Sequence, residues 1–203
     1  CKYLLRNQMR KNIIITGGLG YIGSELCKLY SGYSWHHNIK IIDKRFISER
    51  VNQIRNWNME FIHGDILDKN LVEKHFKEAD VVHHLAGITD VPRTKSESSP
   101  ERDKKINEVA EIGTKNILAV INDKCKIIFP STHVVFEGIK DVKNDIKEDE
   151  QTQPILAYSN SKAINEKQLK KSGKNFVILR LGSVYGYSSD TMRIDIMPNL
   201  FSK

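Results

Sequence analysis

At 203 residues, with 39% apolar and 28% charged side chains, the chain has the length and composition of one sizeable globular core. No stretch reaches the roughly 20 consecutive apolar residues of a membrane helix, and the apolar core of a secretory signal is missing from the first residues, so a cytoplasmic location is expected. Lys and Arg (32) outnumber Asp and Glu (25), for a net charge of +7, but the basic residues are spread along the chain without interleaved aromatics, which argues against a nucleic-acid surface.

Period and breakers predict an alternating series. A strand over Asn12 to Thr16 precedes a helix from Gly20 to about Tyr30 and a strand over Ile39 to Asp43. A strand near Met59 to Ile62, a helix over Lys69 to Phe76, a strand over Val81 to His84 and a long helix from Glu101 to Ile121 follow. The apolar run Lys126 to Phe129 reads as a fifth strand. A polar, acidic stretch from Glu137 to Gln153 separates it from a helix beginning near Pro154, and Phe176 to Leu179 is a sixth strand. Short, continuously apolar strands alternating with helices imply a parallel sheet covered on both faces, a doubly wound α/β fold of Rossmann type. Residues 12–186 are expected to form this domain, residues 1–11 an extension ahead of it, since Met9 stands just before the first strand.

The first strand runs into Thr16-Gly17-Gly18-Leu19-Gly20-Tyr21-Ile22-Gly23 and then into a helix, the place where a dinucleotide pyrophosphate binds. Gly17 permits the tight turn, Gly20 lets backbone approach phosphate, and Gly23 lets the helix pack closely. Asp43 closes the second strand twenty residues after Gly23, where a carboxylate accepts from the adenosine ribose hydroxyls and favours NAD. Lys44 and Arg45 follow at once and could instead pair with the 2′-phosphate of NADP.

Tyr158 and Lys162 stand four residues apart at the start of a helix, on one face. A phenol with a pKa near ~10 needs a depression of about three units, roughly 4 kcal/mol, to act as a base at neutral pH; Lys162 and a positive nicotinamide would supply it. Pro130-Ser131-Thr132 sits at the carboxyl end of the fifth strand, where open α/β sheets bind ligands, and offers a hydroxyl between phenol and substrate. The histidines read blandly. His83 and His84 are adjacent on a strand and point to opposite faces, His36 and His37 lie in a loop, and Cys1, Cys27 and Cys125 are too scattered for a disulfide framework or a metal site.

Taken together, TGGLGYIG, HGDILD, HHLAGIT, GTKNIL, IIFPSTHVVFEG, YSNSK and LRLGSVYG run in order through residues 12–186. The chain resembles the extended short-chain dehydrogenase/reductase family, the NAD-dependent epimerase/dehydratase group, as in sugar-nucleotide epimerases. The resemblance implies that Asp65 and Ile66 flank the adenine, and that Leu85, Ala86 and Gly87, with Tyr21, Ile22, Lys44 and Ser131, border the cofactor. It implies further that Thr132 is the catalytic hydroxyl, Tyr158 the acid/base and Lys162 the ribose-binding lysine. The implied activity is epimerisation of a nucleotide-linked sugar through a hydride taken by NAD and returned to the opposite face. A homodimer through the helices at 101–121 and 158–171 is implied as well.

The resemblance has gaps. Ala110 stands where the family helix usually carries Asn, with Asn107 one turn earlier, and Ser183 replaces an Asn near the nicotinamide. After Thr132 come His133 and Val134 instead of the Asp-Glu pair of 4,6-dehydratases, which disfavours water loss; His133 reads as strand-end packing or as a replacement acid. Residues 187–203, with Met197-Pro198-Asn199-Leu200-Phe201, would open a truncated substrate lobe. A nucleotide-sugar reductase or dehydratase, or a dinucleotide-binding regulator without chemistry, are the alternatives.

Overall fold

The computed structural model describes residues 10–89 and 98–188. Six strands, β1 (Asn12–Thr16), β2 (Asn38–Asp43), β3 (Glu60–His63), β4 (Val81–His84), β5 (Lys126–Thr132) and β6 (Asn175–Leu181), form one sheet in the order β3-β2-β1-β4-β5-β6. Every pairing is parallel. Five helices connect them: α1 (Tyr21–Ser31), α2 (Ser48–Asn56), α3 (Lys69–Phe76), α4 (Pro100–Val120) and α5 (Ala157–Lys171). The order reverses between β1 and β4, so the loops leaving these two strands part company and open a crevice at their carboxyl ends.

Alternation along β1 shows why the sheet is covered twice. Ile13 and Ile15 face one way, into a core with Leu19, Cys27, Ile41, Val51 and Ile54, supplied by α1 and α2. Ile14 faces the other way, into a core with Val72, Phe76, Val82, Ile117, Ile127 and Leu169, supplied by α3, α4 and α5. A strand with both faces buried must be apolar at consecutive positions, and each fully buried isoleucine contributes about 1.5–3 kcal/mol relative to exposure.

The expected doubly wound fold is present, with differences at its joints. Helix α2 falls in a stretch between the second and third strands to which the sequence assigned no element; Ile47, Val51 and Ile54 recur at helical spacing and pack inward, but the residues between them are polar or charged. Strand β5 extends through Thr132 into a 3-10 turn over His133–Phe136, capped by Thr132 Oγ1 accepting from Val134 N at 3.3 Å. Helix α5 begins at Ala157, three residues after Pro154, because the preceding segment is spent in contacts with Glu137. Residues 1–9 of the expected extension and 189–203 of the expected substrate lobe lie outside the described residues. No helix among the described residues is long and apolar enough to cross a membrane.

Candidate cofactor and catalytic site

The turn after β1 is shaped by contacts that leave no room for side chains. Gly17 has φ of +68°, and a Cβ there would lie 2.9 Å from backbone atoms of Ala86 at the end of β4. A Cβ on Gly23 would lie 2.4 Å from the carbonyl oxygen of Gly17. Gly23 thus seats α1 on the turn itself, whereas the sequence suggested close packing on the sheet. Gly18 presses on Ile41 of β2. Helix α1 is preceded by Gly20, which has no side chain to cap it, and carries no acid in its first turn. By contrast, α3 is capped by Asp68 and α4 by Ser99. A helix start of this kind, at the head of a glycine turn, suits an anion.

Around this turn lies a cavity of about 880 Å³, within the range of small-molecule sites. All the residues singled out from sequence border it: Gly17, Gly20, Tyr21, Ile22, Gly23, Asp43, Lys44, Asp65, Ile66, Leu85, Ala86, Gly87, Ser131, Thr132, Tyr158 and Lys162. At one end Asp43 is buried, and Gly64 N donates to its backbone oxygen at 3.1 Å. Asp65 Oδ1 accepts from Leu67 N at 3.0 Å and fixes the next loop. That loop rests on α4: a Cβ at Gly113 would lie 2.3 Å from Ile66 Cδ1, and Asn116 Nδ2 donates to the Ile66 carbonyl at 3.0 Å.

At the other end α5 brings Tyr158 and Lys162 to the cavity wall. Lys162 Nζ donates to the Pro130 carbonyl at 2.9 Å, stands 4.7 Å from the Phe129 ring centroid and 5.8 Å from that of Tyr158. Burial pushes its ammonium down to about 8, so the lysine remains mostly cationic at neutral pH. Glu137 secures the entry to α5: its Oε1 accepts from Ile155 N and Leu156 N, both at 2.8 Å, and from Ser159 Oγ. Burial opposes ionisation of Glu137, but the Ser159 hydroxyl and the two backbone N–H groups outweigh it and hold the carboxyl below its usual range.

Two buried networks brace the site, the first among β5, α5 and β6 and the second between β1, β4, α4 and α5. Ser131 Oγ donates to Glu166 Oε1 at 2.6 Å, and Arg180 grips the same carboxylate through Nε at 3.0 Å and a terminal nitrogen at 2.7 Å. On the sheet's midline, His84 Nδ1 lies 3.1 Å from Thr16 Oγ1 and Nε2 lies 2.9 Å from Thr114 Oγ1. Asn165 of α5 donates to the same Thr114 hydroxyl at 2.7 Å, while Thr16 Oγ1 accepts from Ala86 N at 3.0 Å. His83, as expected, faces the opposite side, with Nε2 2.8 Å from the Tyr30 hydroxyl.

Residues 14–196 match the model of the 3-beta hydroxysteroid dehydrogenase/isomerase family. The chain belongs to this family of extended short-chain dehydrogenases/reductases. Among its curated relatives, a putative UDP-glucose 4-epimerase of Methanocaldococcus jannaschii is 33% identical over 186 residues, 88% of this chain and 57% of that protein. A dTDP-D-glucose 4,6-dehydratase of Dictyostelium discoideum is 31% identical over 197 residues, 87% of this chain and 44% of that one. Among solved structures, a UDP-N-acetylglucosamine 4-epimerase of Methanobrevibacter ruminantium, in complex with UDP-N-acetylmuramic acid, superimposes with a TM-score of 0.69 at 27% identity. That match covers 92% of this chain and 61% of that one. The chain therefore spans about half the length of the curated relatives it matches.

Against the extended short-chain dehydrogenase/reductase pattern, the departures fall unevenly. Ser183 and His133 border the cavity, the latter with Nδ1 3.2 Å from the Leu181 carbonyl. Asn107 is not among the cavity-lining residues. Glu137 and Glu166 were not picked out from sequence. Each is a single acid whose partners come from distant elements, although Glu166 repeats the spacing of Tyr158 and Lys162 by one more turn of four.

Proposed function

We propose that the chain forms the NAD-binding and catalytic part of a sugar-nucleotide epimerase, with Tyr158 as the proton donor and acceptor. The observation that carries this reading is that the glycine turn and the Tyr158–Lys162 face of α5 open on one cavity. The turn fits a pyrophosphate: Gly17 lies against the backbone of Ala86, and Gly20, ahead of α1, carries no side chain to occupy the free N–H groups of the first turn. Asp43 and Asp65 line the end where the adenosine would lie.

When bound, the nicotinamide supplies a reversible acceptor for hydride. Tyr158 then takes the proton of a sugar hydroxyl at its phenol oxygen and returns it when the carbonyl is reduced again. The cationic Lys162 favours the phenolate. Thr132, at the end of β5, offers a hydroxyl to the same substrate oxygen, and Glu166 keeps the neighbouring Ser131 in place. Epimerisation is preferred over dehydration because His133 and Val134 follow Thr132 where an acid–base pair for water loss would stand. The likeness to the Methanocaldococcus jannaschii relative supports the same choice.

The test uses the longest natural polypeptide that carries this sequence, freed of copurified nucleotide, with a panel of UDP-, GDP- and dTDP-sugars. Expected is conversion of at least one sugar to its epimer, with cofactor regenerated, and loss of at least about a hundredfold in rate for Tyr158→Phe. Turnover equal in Tyr158→Phe, or a net reduced or dehydrated product, would overturn the assignment.

A further inference from the structure

Helix α5 carries Tyr158 in its first turn, and helix ends fray unless their free N–H groups and entering chain are held. The helix brings no such hold of its own. Leu156, at its N-cap, has an aliphatic side chain, and the first turn contains no acid. Helix α3 differs, with Asp68 accepting from Asn70 N at 2.9 Å and Leu71 N at 3.2 Å, and so does α4, capped by Ser99 with Glu101 and Asp103 in its first turn. At α5 the acceptor comes from another part of the chain. Glu137 Oε1 accepts from Ile155 N and Leu156 N, both at 2.8 Å, and from Ser159 Oγ. These contacts bracket Tyr158, two on the chain entering the helix and one on the residue after it.

The carboxylate is itself held from both sides. Glu137 follows the 3-10 turn that leaves Thr132, and its N–H donates to the Val134 carbonyl at 3.1 Å. Beyond it, Gly138 N donates to the Gln153 carbonyl and Gln153 N to the Val135 carbonyl, both at 2.8 Å. The approach is so close that a Cβ on Gly138 would lie 2.5 Å from the Gln153 oxygen. Lys162, one turn further along α5, is anchored separately, on the Pro130 carbonyl of β5 at 2.9 Å. Thr132 belongs to β5 itself. Thr132, Glu137, Tyr158 and Lys162 all border the cavity, and Tyr158 is the member of the hydroxyl, phenol and ammonium set that sits in the turn Glu137 secures.

We propose that Glu137 is a positioning residue for Tyr158: its carboxylate fixes the first turn of α5 so that the phenol stays in register with Thr132 and Lys162. It acts through the backbone on either side of the tyrosine. The inference rests on the reading of Tyr158 as proton donor and acceptor.

The experiment compares the parent with Glu137→Ala, Glu137→Gln and Glu137→Asp in the longest natural polypeptide, with circular dichroism to check folding and Asp68→Ala as a control that loses a cap on α3, none of whose residues borders the cavity. Measured are kcat and KM for the nucleotide sugar that the parent converts, and Kd for NADH. Expected in Glu137→Ala is a fall of about ten- to a hundredfold in kcat, with KM and Kd within about threefold of the parent. Glu137→Gln, which keeps an acceptor oxygen for Ile155 N and Leu156 N, recovers most of the rate; Glu137→Asp, shorter by one methylene, does not, and it replaces Glu137→Ala if that variant fails to fold. Asp68→Ala keeps kcat within about twofold. The phenol of Tyr158, followed by near-ultraviolet absorbance against the matching Tyr158→Phe protein, should ionise at higher pH in Glu137→Ala than in the parent, because it loses its place beside the Lys162 cation. An unchanged kcat, an equal fall in Asp68→Ala, a rise in KM and Kd in step with the loss of rate, or Glu137→Gln as slow as Glu137→Ala would each overturn the proposal. If the parent converts no nucleotide sugar, the functional reading fails by itself; the ionisation of Tyr158 then decides this inference, and an unchanged titration in Glu137→Ala overturns it.

Discussion

Two neutral imidazoles inside one sheet make the fold sensitive to mild acid, and His84 allows the size of the effect to be worked out. Its ring is 2% exposed between Thr16 and Thr114. Burial, aided by the nearby Lys162 cation, pushes its pKa down to about 3; burial alone takes His83 to about 4. In the unfolded chain both titrate near ~6.5. Below that value the unfolded state binds protons that the folded state refuses, so stability falls as pH falls, at about 1.4 kcal/mol per unit for each ring. By pH 5 each has removed about 2 kcal/mol, together about 4 of the roughly 5–15 kcal/mol that a domain has to lose. Urea denaturation at intervals from about pH 7 to about pH 5 measures this. In His84→Gln, whose amide still reaches hydroxyl partners but does not titrate in this range, the slope of unfolding free energy against pH should be shallower than the parent's by about 1.4 kcal/mol per unit. Parallel slopes for the two proteins would refute the assignment of His84 as a buried neutral group.

Two further substitutions probe the joints of the site. Gly23→Ala would drive a methyl group to within 2.4 Å of the Gly17 oxygen and 2.7 Å of the Gly18 Cα, both backbone atoms; it should cost about 1–3 kcal/mol of stability and weaken dinucleotide binding about tenfold or more by calorimetry, and unchanged affinity would contradict the seating of α1 on the turn. Glu166→Gln leaves Arg180 facing an amide and should cost about 3 kcal/mol in urea denaturation. Burial opposes ionisation of Glu166, but Arg180 and Ser131 outweigh it and hold its carboxyl below the usual range, so the parent's extra stability is present above about pH 4.3 and is lost as pH falls further. Glu166→Gln should lack that acid-dependent part; a loss under about 1 kcal/mol would show the pair to be of little weight.

How much of this could be read in the sequence varies with the range of the interaction. Strand β1, its glycine turn and α1 were legible because each signal is local: three isoleucines, then glycines at fixed spacing, then a helical period. Helix α2 was not, because its inward face is Ile47, Val51 and Ile54 among charged neighbours, too narrow a stripe to stand out from a connection. The strand order was not legible from periodicity either, since alternation says that strands are parallel but not which are neighbours. The glutamates that brace the site fall in the same class: nothing near Glu137 in the chain announces that it will hold Ile155, Leu156 and Ser159.

The stretches that carried the family resemblance acquire physical content once the hydrogen bonds are known. In GTKNIL, Gly113 makes room for Ile66, Thr114 meets His84, and Asn116 holds the Ile66 carbonyl. In HHLAGIT, His84 and the Ala86 N–H both reach Thr16, the residue that leads into the glycine turn. Asn165, one helical turn beyond the Tyr158–Lys162 pair, closes the circuit by donating to Thr114. A single chain of contacts therefore runs from the backbone beside Gly17, through Thr16, His84 and Thr114, to the helix that bears Tyr158 and Lys162. Each of the two threonine hydroxyls in it is shared by two partners. The glycine turn and the Tyr158–Lys162 face of α5 are thus bridged although some 140 residues separate them in sequence. On the proposed reading, such a bridge is what holds a hydride acceptor at the turn and a proton acceptor on α5 in position to work on the same carbinol.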